Sequence, residues 1–351
     1  MHTFNNIYEQ IISVENLFSA WDSFHSGKKN KPDVLRFEWD LESNIFRLHR
    51  LLKSKKYAHG QYTSFFIQDP KQRHIHKATV QDRVLHHAIF NVLNPIFEPT
   101  FIAASFSCRV DKGMHKGVDA VTTMVRQVSR NCTQPCHALK CDIQKFFFRI
   151  DHGILLTMLR KKLQDEDALW LLEQVIGSFS TNPGEAKGLP IGNLTSQLFA
   201  NIYMNEFDQY VKHVLRVEHY ARYTDDFLVI ANDPRYLEKL LPSIRLFLDT
   251  RLALNLHPLK TMIKKSSQGI DFLGYTIFPY HRLVRTKTRQ RIFRKLEQKV
   301  IEYKAGKITE ESLDQSLQSY RGVLSHADTH ELREQMENQV WFWITDRQKS
   351  Y

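Results

Sequence analysis

The segment Tyr223-Thr224-Asp225-Asp226 is followed directly by the apolar run Phe227-Leu228-Val229-Ile230. A short apolar run next to polar turn residues is typical of a buried strand. Two adjacent aspartates at the start of such a strand cannot both point into an apolar core, because an unpaired buried carboxylate is costly. The segment therefore predicts a hairpin that presents at least one carboxylate to solvent or to a cation.

A third carboxylate ends another short apolar segment, Ala138-Leu139-Lys140-Cys141-Asp142-Ile143. We predict a buried strand that finishes at Asp142. Magnesium prefers hard oxygen ligands and leaves positions open for substrate phosphates. Three carboxylates from neighbouring strands are a sufficient donor set for the two ions used in nucleotidyl transfer. On spacing alone, however, Asp-Asp pairs are common in solvated turns, and that structural interpretation is the more frequent one.

The rest of the chain mixes helical periodicity with hairpins. Helices are predicted over residues 11–21, 37–52 and about 80–93, and from Thr288 to the end of the chain. Further strands are predicted over residues 62–67 and 73–77, around the turn Asp69-Pro70-Lys71-Gln72, and over residues 271–278. This mixture of helices and antiparallel hairpins predicts the α+β class.

The charge of the chain is unevenly distributed. The 351 residues carry a formal net charge of +11, and the pI is about 9.4. Thirteen lysines and arginines lie between Lys260 and Lys307, against three acidic residues in the same segment. Clustering of basic residues favours a nucleic-acid surface over an evenly solvated one.

Cysteine usage and hydropathy bear on the compartment. The four cysteines are too few for a disulfide scaffold, and no uncharged apolar run has the length of a membrane span. The first ten residues lack the charged start and apolar run of a signal peptide. We therefore expect a cytoplasmic protein without membrane contact.

The box Tyr223-Thr224-Asp225-Asp226 resembles the YxDD box of reverse transcriptases, and other boxes of that family occur around it in the family's order. They lie at residues 82–88 with 95–98, 107–109 through 113, 140–147 with 150–151, 188–197, 260–261 and 272–275. The resemblance covers about residues 65–280. It implies an RNA-directed DNA polymerase with a right-hand polymerase fold. It also implies N-terminal helices and fingers over residues 1–107, a palm over 108–279 with a fingers insertion at about 153–188, and a helical thumb over 280–351.

One box points to a subfamily. Bacterial reverse transcriptases commonly have QGxxxSP before YxDD, whereas this chain has Ile191-Gly192 and Ser196-Gln197. The IGxxxSQ pattern resembles the enzymes of diversity-generating retroelements, which copy a template RNA with errors at adenines so that the cDNA replaces a variable repeat. That resemblance implies a structured RNA and a small basic accessory protein oligomer as partners, and it makes Ile191 a candidate fidelity determinant.

Three alternatives stay open. The chain is also compatible with a defence-associated reverse transcriptase that copies a dedicated noncoding RNA, or with a retron or group II intron-like enzyme. The third alternative is an RNA-binding scaffold without catalysis. Three clustered carboxylates without a cation repel one another, and this argues against the scaffold.

The resemblance also assigns site residues. Asp142, Asp225, Asp226 and the backbone carbonyl of Ile143 are expected to hold two Mg²⁺ ions, for which Mn²⁺ can substitute. The residues expected at the incoming dNTP are Lys71, Arg73, Phe147, Ile191, Gly192 and Lys260. For Lys71 and Arg73 the alternative is an ordinary pair of turn charges, and for Phe147 it is a core aromatic. Lys260 is expected either to protonate pyrophosphate or to contact a backbone phosphate.

A second set of residues is expected to bind the primer, the template and the growing RNA–DNA hybrid. Its members are Arg83, Arg109, Tyr223, Phe272, Leu273, Gly274, Tyr275, Arg285, Lys287, Arg289, Arg291 and Arg294. The late basic residues predict a surface that follows phosphates and reads the shape of the hybrid rather than its sequence. The alternative for them is a solvated helix face.

Overall fold

The computed structural model describes residues 3–68 and 72–346. The helices are α1 (Ile7–Ile12), α2 (Val14–His25), α3 (Pro32–Glu38), α4 (Leu41–Lys53), α5 (Val80–Phe97), α6 (Met114–Val128), α7 (Phe146–Arg149), α8 (His152–Arg160), α9 (Glu166–Gly177), α10 (Leu194–Gln209), α11 (Pro234–Leu252), α12 (Thr286–Lys304), α13 (Glu310–Leu324) and α14 (His330–Thr345). Among the described residues, no helix is both long and apolar enough to cross a bilayer.

The strands form three sheets. They are β1 (Thr63–Ile67), β2 (Arg73–Lys77), β3 (His137–Asp142), β4 (Tyr220–Tyr223), β5 (Asp226–Ala231), β6 (Met262–Lys265), β7 (Ile270–Phe272), β8 (Tyr275–Ile277) and β9 (Arg282–Val284). The strand orders are β1-β2, β4-β5-β3-β6 and β7-β8-β9. The predicted α+β class is confirmed, as are the strands on either side of the acidic residues.

Local pattern placed the strands better than the helix ends. A single helix through residues 11–21 was wrong, because the chain leaves the helical region at Ser13 and its hydroxyl caps α2 by accepting from the Asn16 amide at 3.2 Å. The helix expected over residues 37–52 is likewise divided between α3 and α4. The expected end of α5 near residue 93 was also wrong: the helix continues through Pro95 and buries Phe97.

The described chain divides into two compact units. Unit 1 consists of Met1–Asp111, Cys141–Phe227 and Lys239–Thr261, and unit 2 of Lys112–Lys140, Leu228–Glu238 and Met262–Tyr351. In unit 1, α5 packs against α1, α2 and α10, and its buried side chains form much of that unit's core. In unit 2, α12 packs against α13 and α14. The division into fingers, palm and thumb stays a prediction.

Pairing registers fix the hairpins on which the predicted site residues lie. In unit 1, β1 and β2 pair antiparallel from Thr63↔Lys77 to Ile67↔Arg73, and we call this pair the fingers hairpin because it lies in the segment predicted to be the fingers. In unit 2, β3 pairs antiparallel with β6 from His137↔Lys265 to Lys140↔Met262. The strand or hairpin predicted at residues 271–278 is present as a hairpin of β7 and β8.

Candidate active site

Strands β4 and β5 are joined by a two-residue turn that consists of Thr224 and Asp225. Thr224 has a φ of 56°, in the left-handed region that a β-branched residue rarely adopts. Such a conformation costs about 1–3 kcal/mol and persists only when surrounding contacts hold it. The Thr224 hydroxyl donates to Ser107 Oγ at 2.6 Å, and the Thr224 carbonyl accepts from Arg222 Nη1 at 3.0 Å. Side chains outside the turn therefore fix the backbone that carries Asp225 and leads into Asp226.

Asp142 is the last residue of β3, and its backbone lies beside this turn. The Ile143 amide donates to the Asp225 carbonyl at 3.1 Å, so a backbone hydrogen bond joins the two acidic segments. The Asp142 carbonyl accepts from the His257 amide at 2.7 Å, which holds the end of the strand from its other side. The structure thus places Asp142, Asp225 and Asp226 in one part of unit 1. Their role as metal ligands stays a prediction.

The side chain of Lys260 engages the carboxylate of Asp142. Lys260 Nζ lies 2.7 Å from Asp142 Oδ1, and the Asp142 side chain is only 15% exposed. A carboxylate that has lost much of its water needs a compensating charge, and the lysine ammonium supplies one here. Lys260 was predicted at the incoming nucleotide, and the structure places it beside the first of the three aspartates.

The atoms that this segment offers to a cation are oxygens. Burial, and secondly the negative charge of Asp226, raise the pKa of the neighbouring Cys141 thiol to about 12, so the thiol stays protonated. Carboxylate oxygens are the ligands that Mg²⁺ prefers, and the donor chemistry therefore fits that ion. Within the part of the chain that the structure describes, no three acidic, histidine or cysteine side chains form a set that could hold a metal ion in the present conformation.

The segment Ile191-Gly192 lies against the fingers hairpin. The Ile191 carbonyl accepts from the His76 amide at 3.1 Å. Gly192 has a φ of 121°, and a Cβ at this position would lie 3.1 Å from Ile75 Cγ2. The backbone conformation therefore favours glycine, and any larger residue would also make a tight contact with β2. The two predicted nucleotide-site residues lie beside the strand that begins at the exposed Arg73.

Two further residues were predicted at the nucleotide. Phe147 is half-buried on α7, and its ring meets Phe146 edge to face with the centroids 5.3 Å apart. The Phe147 carbonyl accepts from the Leu189 amide at 2.7 Å, so its backbone is tied to the segment that precedes Ile191. Both interpretations of its ring, as a block to a ribose 2′-hydroxyl and as a packing residue, stay predictions. Lys71 lies outside the described residues.

Two arginines predicted at the nucleic acid make contacts within unit 1. Arg83 donates to Asp33 Oδ2 at 2.5 Å, and its side chain is 15% exposed. Arg109 donates to Glu98 Oε1 at 2.8 Å and to two backbone carbonyls, and its side chain is 6% exposed. These contacts favour a structural role for both arginines, while their predicted contact with primer or template stays untested.

The predicted primer-binding hairpin is formed by β7 and β8 of unit 2. Phe272 and Tyr275 are both 1% exposed, and the Tyr275 hydroxyl donates to the Val323 carbonyl at 2.8 Å. Burial raises the pKa of Tyr275, so its hydroxyl remains a donor. The half-buried turn Leu273-Gly274, with φ angles of 48° and 89°, is the more accessible part of this hairpin.

Helix α12 shows the predicted division between an apolar and a basic face. Ile292, Leu296 and Val300, four residues apart, are buried on one side. Of the predicted basic set, Arg291 is half-buried, and the exposed members are Arg285, Lys287, Arg289 and Arg294. The arrangement is compatible with a surface for phosphates and with a solvated helix face.

Sequence analysis missed a buried ion pair next to the acidic turn. Arg222 and Asp208 are both fully buried, and Arg222 is the largest fully buried side chain among the described residues. A signal was available, because an arginine inside the apolar strand Tyr220-Ala221-Arg222-Tyr223 is almost never buried unless it is paired. Tyr223, predicted at the template, is half-buried at the end of the same strand, and burial raises its pKa.

Residues 67–277, more than half of the chain, match the family model described as reverse transcriptase (RNA-dependent DNA polymerase).

Two relatives are similar to this chain at 22–25% identity. Protein YkfC from Escherichia coli is 25% identical over 246 residues, which cover 60% of this chain and 62% of YkfC. The group II intron-encoded protein LtrA from Lactococcus lactis is 22% identical over 346 residues, which cover 78% of this chain and 57% of LtrA. The chain thus spans less than two thirds of the length of these relatives. Among solved structures, telomerase from Candida albicans aligns at 10% identity with a TM-score of 0.48, over 83% of this chain and 61% of that chain.

Proposed function

We propose that this protein synthesises DNA on an RNA template, because the chain belongs to the reverse transcriptase family. The family predicted from the ordered boxes is thereby confirmed, together with the right-hand polymerase class of that family. The proposal adds to family membership an activity, its substrates and the residues that carry it.

The observation that supports this activity best is the link between the two acidic segments. The Ile143 amide holds the Asp225 carbonyl at 3.1 Å, and Asp142 is the residue directly before Ile143. Each acidic segment therefore contributes a carboxylate from a backbone that hydrogen bonds hold in place. Catalysis requires reacting groups to be positioned in this way. Asp226 begins β5 next to Asp225 and supplies the third carboxylate.

In the proposed mechanism, Asp142, Asp225, Asp226 and the Ile143 carbonyl would hold two Mg²⁺ ions. Ions bound there would supply the positive charge that favours deprotonation of the primer 3′-hydroxyl and departure of pyrophosphate. In the structure, Lys260 Nζ lies 2.7 Å from Asp142. When a nucleotide binds, the lysine ammonium can leave this carboxylate and bind a phosphate of the nucleotide instead.

The remaining predicted residues complete the substrate sites. Arg73 and Lys71 neutralise the triphosphate, and Phe147 excludes a ribose 2′-hydroxyl. The turn Leu273-Gly274 contacts the primer, and the basic face of α12 follows the phosphates of the RNA–DNA hybrid. We retain the division into fingers (1–107), palm (108–279) and thumb (280–351) as part of this proposal.

A finer assignment rests on the box around Ile191. Its IGxxxSQ pattern supports an enzyme of a diversity-generating retroelement that makes errors at template adenines, with a structured RNA and a small basic accessory protein as partners. Ile191 can only pack, whereas a glutamine at this position could hydrogen-bond to a base pair. The contact between Ile191 and β2 is compatible with a role beside the incoming nucleotide.

A group II intron-like enzyme is the second candidate. It is favoured by the similarity to the group II intron-encoded protein LtrA, which extends over 78% of this chain. The two candidates differ in the error spectrum of the cDNA. Sequencing of cDNA copied from one RNA template separates them, since only the first predicts errors concentrated at template adenines.

Primer extension on an RNA template tests the activity itself. We expect Mg²⁺-dependent extension by the wild-type protein. The Asp225→Asn variant should lose roughly a thousandfold or more in rate, the scale expected for removal of a catalytic group. The exposed Asp22 on α2 provides a matched control, because Asp22→Asn makes the same chemical change far along the chain from the boxes. Normal extension by a folded Asp225→Asn variant would refute the assignment.

A further inference from the structure

The buried pair of Arg222 and Asp208 is tied to the acidic turn by direct hydrogen bonds. Arg222 Nε donates to Asp208 Oδ1 at 2.7 Å, and Arg222 Nη2 donates to Asp208 Oδ2 at 2.5 Å. The remaining amino group, Nη1, donates to the carbonyl of Thr224 at 3.0 Å. One guanidinium thus bridges a carboxylate of α10 and the backbone of the turn, which its planar fork of donors allows and a lysine ammonium would not.

Further contacts surround this bridge and satisfy its members. Arg222 Nη2 also donates to Ser105 Oγ at 3.0 Å, and the Tyr220 hydroxyl donates to Asp208 Oδ1 at 2.7 Å. The backbone of Arg222 pairs with the segment before Ser107, since its amide donates to the Ala104 carbonyl at 2.9 Å. Each charge in this cluster therefore has hydrogen-bond partners, as a buried charge requires.

Stability alone is a weak explanation for such a pair. Removing two charges from water costs several kcal/mol per ion, and replacement of buried ion pairs by apolar residues is often neutral or stabilising. An apolar pair would fill the same space under β4, but it would leave the Thr224 carbonyl without its donor. What the arginine adds is an anchor for a turn whose Thr224 has a φ of 56°.

The anchor acts on the site through the backbone. The carbonyl of Thr224 is held by Arg222, and the next carbonyl, that of Asp225, is held by the Ile143 amide. Two consecutive carbonyls of the turn are therefore each held by a different residue, the first by Arg222 and the second by Ile143. Release of the first would let the peptide between Thr224 and Asp225 rotate and would move the Asp225 carboxylate relative to Asp142.

We propose that Arg222 is a positioning residue that, with Asp208, fixes the turn so that Asp225 and Asp142 share a metal ion. This inference rests on the proposed polymerase function. It predicts an effect on metal affinity and on the rate of the chemical step, with little effect on the KM for primer–template.

Two variants separate positioning from folding. Arg222→Lys keeps the charge but cannot bond to both Asp208 and Thr224. The triple variant Arg222→Met, Asp208→Leu and Tyr220→Phe removes both charges and the Tyr220 hydroxyl together, so no buried charge is left unpaired and folding should be preserved, while the Thr224 carbonyl and Ser105 Oγ lose their donor. Leu171→Ala on α9 is the control for lowered stability, because this buried leucine lies outside the cluster.

Two measurements are needed. The first is the kinetics of primer extension at varied Mg²⁺ concentration. The second is Mn²⁺ affinity, which electron paramagnetic resonance measures in the presence of primer–template and dNTP. For both cluster variants we expect kcat to fall about tenfold to a hundredfold, the scale for a displacement of about 1 Å. Mn²⁺ affinity should fall and the primer–template KM should change less than about threefold. Leu171→Ala, measured where it is folded, should keep the wild-type Mn²⁺ affinity.

The outcomes distinguish the inference from the function on which it rests. Folded cluster variants with wild-type kcat and Mn²⁺ affinity would refute the role of Arg222 and leave the polymerase intact. If Arg222→Lys fails to fold, the triple variant gives the answer by itself. A wild-type protein that neither extends a primer nor binds Mn²⁺ would overturn the proposed function and the inference together.

Discussion

Two hairpins of the chain differ in character, the hairpin of β4 and β5 and the fingers hairpin. In the hairpin of β4 and β5, Tyr220, Arg222 and Phe227 are fully buried, and both residues of the turn are held by hydrogen bonds. In the fingers hairpin every residue of β1 is exposed, including the large apolar side chains of Phe65 and Phe66. The first hairpin is buried and its turn is fixed by hydrogen bonds, whereas the second presents one of its two strands to solvent.

This difference predicts separate roles for the two hairpins in the proposed polymerase. A rigid turn suits carboxylates that must hold metal ions at set distances. A hairpin whose outer strand β1 is exposed, and whose strand β2 contacts the Ile191-Gly192 segment, suits contact with a substrate that arrives and leaves. We therefore expect changes in the first hairpin to lower kcat, and changes in the fingers hairpin to raise the KM for dNTP or to alter fidelity.

Among changes that leave the three aspartates in place, the largest effect is expected from Thr224→Pro. Proline fixes φ near −65°, whereas Thr224 has a φ of 56°, so the turn cannot form as it is. We expect extension to fall by roughly a hundredfold or more, as displacement of catalytic groups by about 1 Å already does. Thr224→Gly, which accepts positive φ and loses only the hydroxyl bond to Ser107, should retain much more activity in the same assay. Equal rates for the two variants would show that the turn does not need its left-handed residue.

Charge reversal on the basic face of α12 tests whether this face, rather than either hairpin, supplies the affinity for nucleic acid. Arg289→Glu, Arg291→Glu and Arg294→Glu together should weaken primer–template binding and flatten the plot of log affinity against log salt. Each lost phosphate contact contributes about 0.7–0.9 to that slope, so three contacts change it by roughly 2 to 3.

A triple reversal at the basic residues Arg50, Lys53 and Lys56, at the end of α4, is the charge-matched control and should leave the slope unchanged. An unaltered slope for the triple α12 variant would make the basic face of α12 a solvated helix face. The comparison of the two hairpins would then have to cover primer–template binding as well as catalysis.

Arg73→Gln addresses the fingers hairpin directly. A hydrogen bond between a charged donor and a phosphate contributes about 1.5–3 kcal/mol, so its loss should raise the KM for dNTP about tenfold or more. The value of kcat should stay within about threefold of wild type, since the turn at Asp225 is untouched. Steady-state extension with varied dNTP measures both quantities, and Arg36→Gln on α3 controls for loss of one exposed arginine. A fall in kcat without a change in KM would contradict the proposed division.

The smallest expected effect concerns accuracy. Ile191→Gln should lower misincorporation opposite template adenine more than opposite the other bases, because glutamine can hydrogen-bond where isoleucine only packs. A change of about 1.4 kcal/mol in discrimination alters the error rate about tenfold. Sequencing of cDNA made on one template by wild type, Ile191→Gln and the packing control Ile191→Val measures it. Identical adenine errors in all three active proteins would remove Ile191 from the fidelity mechanism and weaken the retroelement assignment.

The local sequence pattern predicted much of the fold and part of the candidate site. The strands at Asp142 and Phe227 follow from apolar runs next to acidic residues, and both are present as β3 and β5. The breaks at Ser13 and after α3 were missed, because apolar spacing continues across them and the cap depends on one hydroxyl. Periodicity reports which face is buried, and it is less sensitive to where a helix ends.

The support around the turn could not be predicted because it depends on distant residues. Arg222 meets Asp208, 14 residues before it, and Ser105, 117 residues before it. Lys260 meets Asp142, 118 residues before it. A single sequence shows that a buried arginine needs a carboxylate, but only the fold identifies which carboxylate lies within reach.

The pairing of β3 with β6 has a consequence for work with shorter fragments of this chain. β6 lies at one edge of its sheet and covers residues 137–140 of β3, where Ala138 and Leu139 are buried. A fragment that stops before Met262 would leave β3 as an uncovered edge with free amide and carbonyl groups. Such apolar edges recruit further strands from other molecules, so that fragment would be prone to aggregate even if the acidic turn were intact.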